Sequence, residues 1–153
     1  MRRGFVSLLA TALVVGMFVS MVLVGTAGAY TPRNATLSGD VEVPGPGDPN
    51  GSGHARVKLY PAKGKICYRV VWSDIQNPAA GHIHKGPAGV AGPVKVTLFE
   101  GVVKNNDYYS ACAKGLAESL VLAIKQRPSK WYVNLHNETY PDGAIRGQLH
   151  RPA

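Results

Sequence analysis

Histidines are the residues of this sequence whose type and spacing are best suited to chemistry. His82 and His84 are separated by one residue. On a β-strand, residues i and i+2 point to the same side, so both imidazoles face one point while Ile83 faces the other way. His136 ends an alternating apolar and polar run over residues 130–136, which places it on the polar face of its strand. The three side chains therefore form a candidate site.

The donor set of this candidate site indicates a late first-row metal. Neutral imidazole suits copper and zinc. The sequence has no acidic cluster that would favour calcium or magnesium, and its two cysteines are too far apart for a thiolate site. Ligands of one ion would bring the three histidine nitrogens within about 3–4 Å of one another. His54 and His150, at strand ends, are further candidate ligands. In the alternative interpretation, His82 and His84 bind no metal and hydrogen-bond to backbone in a tight loop.

Other chemistries find little support in the sequence. There is no nucleophile elbow, no Ser-His-Asp arrangement and no phosphate-binding loop. The sequence therefore favours a binding protein over an enzyme. Its positive charges are interpreted as scattered, solvated positions, which gives nucleic-acid binding no specific support. These positions are Arg56, Lys58, Arg69, Lys85, Lys95, Lys104 and Lys125.

The beginning of the chain predicts export. The chain has 153 residues and a net charge of +8, and residues 5–25 carry no charge. Arg2 and Arg3 precede this run and an Ala-Gly-Ala site follows it, which predicts a signal peptide over residues 1–29. One domain then remains over residues 30–153, with a charge of +6. The alternative is an uncleaved membrane anchor. Both interpretations place the domain outside the cytoplasm, secreted, in a periplasm or on a cell surface.

Cys67 and Cys112 are the only cysteines of the chain. An even number of cysteines in an exported protein predicts a disulfide between them. Two separate buried thiols are the alternative.

The pattern of the remaining residues predicts an all-β fold. Alternation and turn residues predict strands over residues 36–43, 54–60, 65–73, 94–99, 130–136 and 144–150, and a short strand from residue 81 into a Gly/Pro loop. Residues 44–53 form a loop, residues 117–126 a short helix, and residues 100–113 receive no assignment. Such elements are typical of an antiparallel β-sandwich or barrel of about seven to eight strands.

Two segments resemble the motifs of a known family. Residues 81–94 resemble the central motif of CHRD domains, which are named after chordin, and residues 131–137 with 140–149 resemble their closing motif. Residues 37–55 fit the family's opening strands. The resemblance covers residues 34–150 and implies an extracytoplasmic, Greek-key-type β-sandwich.

The same motifs are more distantly similar to the copper–zinc superoxide dismutase sandwich. That similarity implies that His82, His84 and His136 are copper ligands, and that Arg146 steers anions. Ala144 stands where the CHRD motif commonly has Glu, so Arg146 must find another partner. No histidine-and-aspartate set for a second, zinc site is present.

Three functions follow from these observations. The leading hypothesis is an exported CHRD-domain protein that binds copper, rather than zinc, through histidines and so takes part in metal binding or handling. The second is a metal-free module that binds another extracellular protein or a cell-surface polymer. The third is a copper-dependent, superoxide dismutase-like oxidoreductase. None of the three involves nucleic acid, and a membrane enters only through an uncleaved N-terminal segment.

Overall fold

The computed structural model describes residues 29–153, and these residues form eight β-strands and one α-helix. The strands are β1 (Thr31–Ser38), β2 (Ser52–Tyr60), β3 (Lys65–Ser73), β4 (Ala80–Lys85), β5 (Val94–Glu100), β6 (Tyr108–Ala113), β7 (Trp131–His136) and β8 (Ile145–Gln148). The helix α1 spans Glu118–Gln126, and short 3-10 turns occupy Pro61–Lys63 and Pro128–Lys130. The predicted signal segment lies outside the described residues, except for Ala29.

All strands belong to one antiparallel sheet in the order β5-β4-β7-β8-β1-β2-β3-β6. The two edge strands of this sheet, β5 and β6, approach each other. The ring of Phe99 in β5 lies 4.8 Å from that of Tyr109 in β6. The hydroxyl of Tyr68 in β3 also donates to the carbonyl of Leu98 in β5. The chain crosses between the two halves from β3 to β4 and from β5 to β6, as in Greek-key folds. The predicted all-β antiparallel class with one short helix is confirmed.

The core lies inside the curved sheet and is filled by one face of each strand. On β2 the alternation predicted from the sequence holds, with Ala55, Val57 and Leu59 buried and the residues between them facing outward. The helix α1 adds Val121 and Ile124 to the same core, and Pro128 follows its end as predicted. Burial of this apolar surface is the main stabilising contribution to such a fold.

The outer face of β4, β7 and β8 departs from simple alternation because loops cover it. Asn134 on β7 points away from the core, and yet it is buried. The loop between β1 and β2 covers this face from one side, where the amide of Asp48 donates to the carbonyl of Ala144 at 2.8 Å. The loop between β4 and β5 covers it from the other, where Gln148 Nε2 donates to the Gly86 carbonyl at 3.1 Å. A layer of polar side chains is therefore enclosed between sheet and loops.

Some elements differ from the sequence-based expectation, and the last strand, predicted over residues 144–150, spans only Ile145–Gln148. The strand predicted over residues 36–43 instead spans Thr31–Ser38, and residues 41–43 lie in the following loop. The chain turns at Gly39, where a side chain would come within 1.9 Å of the Asp48 carbonyl oxygen. The segment without an assignment contains β6, an edge strand whose inner residues Tyr109, Ala111 and Ala113 are small or only partly buried against the core.

The two cysteines form a disulfide, as predicted. Cys67 on β3 lies directly opposite Cys112 on β6, and the bond closes a sequence separation of 45 residues. Such bonds persist in oxidising compartments outside the cytoplasm. Within residues 29–153, no helix has both the length and the apolar character that a bilayer crossing requires.

Candidate metal centre

The strand β4 presents His82 and His84 on its outer face. Ile83 between them is completely buried in the core, at 0 % exposure, which confirms the predicted alternation. His82 lies opposite Asn134 and His84 opposite Tyr132 on the neighbouring β7. Directly opposed residues of an antiparallel pair share a face of the sheet, so both histidines belong to the covered polar layer.

His136 joins them from the end of β7. It lies opposite Ala80, which places it on the same face as His82 and one strand away. The centroids of the imidazole rings are 5.0 Å apart for His82 and His136, 5.6 Å for His82 and His84, and 5.8 Å for His84 and His136. One ring nitrogen from each residue lies within 4.8 Å of the others. The three side chains predicted to form one site are brought together.

The spacing of these nitrogens is wider than the expected distance of about 3–4 Å. Two nitrogens bound at about 2.0–2.1 Å to one ion are at most about 4.2 Å apart. A movement of each imidazole ring by roughly half an ångström would bring the three nitrogens within about 4.2 Å of one another.

Each of the three rings uses one nitrogen to hold its orientation. His82 Nε2 donates to Glu100 Oε1 at 3.0 Å, His84 Nδ1 to the Gly92 carbonyl at 2.8 Å, and His136 Nδ1 to the Pro141 carbonyl at 3.0 Å. These acceptors are oxygens, so the nitrogens that face them carry the protons. Metal-binding histidines are oriented in the same way, by an outer acceptor that fixes the tautomer.

The other nitrogen of each ring is buried and has no hydrogen-bond partner. These atoms are His82 Nδ1, His84 Nε2 and His136 Nε2. In a neutral imidazole that donates through one nitrogen, the second nitrogen holds a lone pair. A buried acceptor without a partner costs free energy, and three such acceptors in one cluster fit a common positively charged ligand.

Burial keeps two of these rings neutral at physiological pH. Burial lowers the pKa of His136 to about 4, although its hydrogen bond to the Pro141 carbonyl acts in the opposite direction. Burial also lowers the pKa of His84; the charges of His82 and Arg146 act in the same direction, and the bond to the Gly92 carbonyl opposes them. Neutral imidazole is the form that binds metal ions.

The conformation of the Gly/Pro loop between β4 and β5 places the Gly92 carbonyl beside His84. A side chain at Gly92 would come within 1.9 Å of the Lys85 carbonyl oxygen, so glycine allows the loop to close there. The amide of Lys85 then donates to the Pro93 carbonyl at 3.1 Å. The hydroxyl of Tyr132 lies 3.0 Å from the amide of Gly92, and its ring stacks on His84 at 4.8 Å.

Arg146 is buried next to the histidines and finds its partners without an acid at position 144. Its Nη2 lies 3.1 Å from the Val90 carbonyl and 3.4 Å from Gln148 Oε1, and its Cζ lies 3.5 Å from the centroid of the Tyr132 ring. The residue is only 1 % exposed. Such a position fixes the covering loop and does not present the guanidinium to anions in solvent.

Glu42 supplies the carboxylate of this layer from the loop between β1 and β2. Asn134 Nδ2 lies 3.4 Å from its Oε2, and a side chain at Gly143 would come within 2.5 Å of the same oxygen. Burial raises the pKa of Glu42 to about 7, against the opposing effect of the Arg146 charge. The sequence analysis placed Glu42 on a strand and gave it no role.

The structure places His54 and His150 away from this group. His54 is exposed on β2, and His150 follows β8 with its Nδ1 2.9 Å from the Arg151 carbonyl. Both line one cavity on the outer face of β1, β2 and β3. They share a surface with each other and are not among the three grouped histidines.

Glu100, which holds His82, is a second residue near the site that the sequence analysis missed. The pairing of β4 with β5 changes register between Gly81 and His82 and again between Ile83 and His84. Such bulges interrupt the period of two, and they bring Glu100 onto the face of His82. No local pattern in the sequence predicts these changes of register.

Comparison with protein families identifies a match that covers most of the described chain. A family model described as CHRD domain matches residues 33–149, which includes both histidine segments and both cysteines. The resemblance inferred from the two motifs is thereby confirmed. Comparison with curated proteins and with solved structures found no match.

Proposed function

This chain belongs to the CHRD domain family, and we propose that it binds copper outside the cytoplasm through His82, His84 and His136. The observation that carries the proposal is the set of three buried, unpartnered nitrogens, each on a ring that an outer oxygen holds in place. A metal ion accepts electron pairs from several nitrogens at once, so one ion would satisfy all three. Bound copper would supply a redox-active centre at this position.

The donor set supports copper over zinc. The group consists of three imidazoles, and no thiolate or carboxylate joins it within residues 29–153. For a given set of nitrogen ligands, divalent copper binds more tightly than divalent zinc. Three neutral ligands also leave coordination positions to water or to an incoming donor, which suits a protein that takes up and releases its metal.

Location outside the cytoplasm is part of the proposal. The disulfide between Cys67 and Cys112 supports an oxidising compartment. The charge-free segment over residues 5–25, behind two arginines, supports export. Storage, delivery or tolerance of copper at the cell surface would then be the physiological task.

Metal titration of the purified protein tests the proposal. We expect one equivalent of Cu(II) per chain, bound more tightly than Zn(II) in competition with a chelator of known affinity. The double variant His82→Ala/His84→Ala should lose at least about 100-fold in affinity, because removal of ligands leaves too few donors to hold the ion.

The matched control is His54→Ala/His150→Ala, which also removes two histidines but leaves the group intact. It should bind Cu(II) within about twofold of the wild type, on the additivity expected of distant sites. Equal loss in both variants, or binding of several equivalents with no preferred site, would show that the histidines act as adventitious surface ligands and would overturn the proposal.

A further inference from the structure

The outer face of β1, β2, β3 and β6 gathers positive charges that are distant in sequence. Arg56 on β2 lies directly opposite Arg69 on β3, and both are exposed. Lys58 and Lys65 lie on the same face. The interpretation of these charges as scattered is therefore wrong for this part of the sheet.

These cations have no carboxylate partner. The one ion pair within residues 29–153 joins His82 to Glu100, on another part of the sheet. Like charges directly opposed on neighbouring strands destabilise a sheet. The arrangement of Arg56 and Arg69 thus carries a cost that an anionic ligand would relieve.

Tyrosine rings border the same face. Lys58 Nζ lies 4.8 Å from the centroid of Tyr30, and Arg69 Cζ lies 3.9 Å from that of Tyr108. The two tyrosines are 46 % and 39 % exposed. The rings hold the cationic side chains in position and keep area available for stacking.

The surface is concave and long. Two cavities of about 380 and 640 Å³ share Asn34, Arg56 and Arg69 in their linings, so they form one groove across the strands. His54 and His150 lie at one end of this groove, and Tyr30 and Ser110 line the other.

We propose that this groove binds an acidic polysaccharide that carries carboxylates. Arginine pairs with carboxylates through two parallel hydrogen bonds, and Arg56 and Arg69 stand side by side for that purpose. Sugar rings can stack on Tyr30, which lines the groove. A groove of two joined cavities suits a polymer better than a single small anion.

The groove differs from a membrane-binding surface in its apolar content. Among residues 29–153, the exposed large aliphatic side chains are Val41, Val90, Val94 and Val102, and none of these four lines either cavity. A lipid surface would require such apolar anchors beside the charges. The metal centre lies on β4 and β7, so the two proposals stand on separate residues and can fail separately.

Binding of polygalacturonate to the purified protein tests the inference, with neutral dextran as the uncharged comparison. We expect saturable binding of polygalacturonate and none of dextran. Arg56→Gln/Arg69→Gln should weaken binding at least about 10-fold, since each arginine contributes charge-assisted hydrogen bonds. Arg56→Lys/Arg69→Lys keeps the charge but cannot form the two parallel hydrogen bonds to a carboxylate. Its affinity should lie between that of the wild type and that of the glutamine variant.

The matched control is Lys104→Gln/Arg127→Gln, which removes two exposed charges outside the groove. It should bind polygalacturonate within about twofold of the wild type, since the effects of distant sites are independent. If both glutamine variants bound polygalacturonate equally weakly, the loss would come from the lower net charge and not from the groove, and the inference would be overturned. Tighter binding of a single-stranded DNA oligonucleotide, or of vesicles rich in anionic lipid, would overturn it as well.

Chemical-shift mapping on the wild-type protein gives a readout that needs no variant to fold. Tetragalacturonate should shift the backbone amides of Asn34, Arg56, Arg69 and Ser110 and leave those of His82 and His136 in place. Shifts that avoid the groove would refute the assignment even if the polymer binds.

Discussion

Lowering the pH from 7.5 to 5.0 should barely weaken the bond between His136 and a metal ion. An imidazole with an ordinary pKa of about 6.5 is about 97 % protonated at pH 5.0, so proton competition weakens its metal bond by about 30-fold over this range. Burial lowers the pKa of His136 to about 4. This ring is still about 90 % neutral at pH 5.0, and the same change of pH weakens its bond by only about 1.1-fold.

The affinity for Cu(II) of the wild type and of His136→Ala, measured at both pH values, isolates this effect. The ratio of the two dissociation constants should stay constant within about twofold if His136 is neutral throughout. A ratio that shrinks about 30-fold at pH 5.0 would show that the ring titrates like an exposed histidine. An NMR titration of the metal-free protein provides the independent value, and a pKa of 6 or above for His136 would refute the reasoning from burial.

Three further outcomes follow from the structure. Glu42 has a folded pKa of about 7, above its ordinary value of 4.5, so its contribution to stability is full below pH 4.5 and is lost as the pH rises through 7. Denaturant unfolding of Glu42→Gln should therefore show a gain over the wild type that grows by about 2 kcal/mol from pH 4.5 to pH 8, and a gain independent of pH would contradict the buried charge. Replacement of Cys67 and Cys112 by serine should lower the free energy of unfolding by roughly 4 kcal/mol, from the entropy of a 45-residue loop; an unchanged denaturation midpoint would refute this. Glu100→Gln should weaken Cu(II) binding about 10-fold, because it weakens the hydrogen bond that orients His82. The control Glu118→Gln, at an exposed position on α1, should leave the affinity unchanged. Equal Cu(II) affinities of the two variants would show that the bond from Glu100 does not orient the ring.

The grouping of the three histidines is more predictable from sequence than the residues that surround them. The spacing of His82 and His84 fixes their common side through the two-residue period of a strand, and the end of an alternating run does the same for His136. The oxygens that orient these rings come from irregular backbone and from a strand with two changes of register. Local patterns do not encode such positions, so Glu100 and the carbonyl of Gly92 become visible only in the fold.

Strand β1 and the basic groove illustrate the same limit at longer range. Alternation extends from Thr36 to Val43 in the sequence, but a close backbone approach at Gly39 ends the strand at Ser38, and Glu42 enters the polar layer instead. Arg56 and Arg69 are neighbours because β2 and β3 form a hairpin in one particular register. Individual charges are visible in a sequence, whereas their juxtaposition depends on pairing between strands.

The most direct test of the three-histidine centre is pulsed electron paramagnetic resonance of the protein with one equivalent of Cu(II). The rings of His82, His84 and His136 should give couplings from three imidazoles, with the outer nitrogen of each seen as a weakly coupled nucleus. His136→Ala should remove one of the three, and His54→Ala/His150→Ala should leave the spectrum unchanged. Coordination by backbone amides, or a spectrum that persists in His82→Ala/His84→Ala, would contradict a copper site built from these histidines.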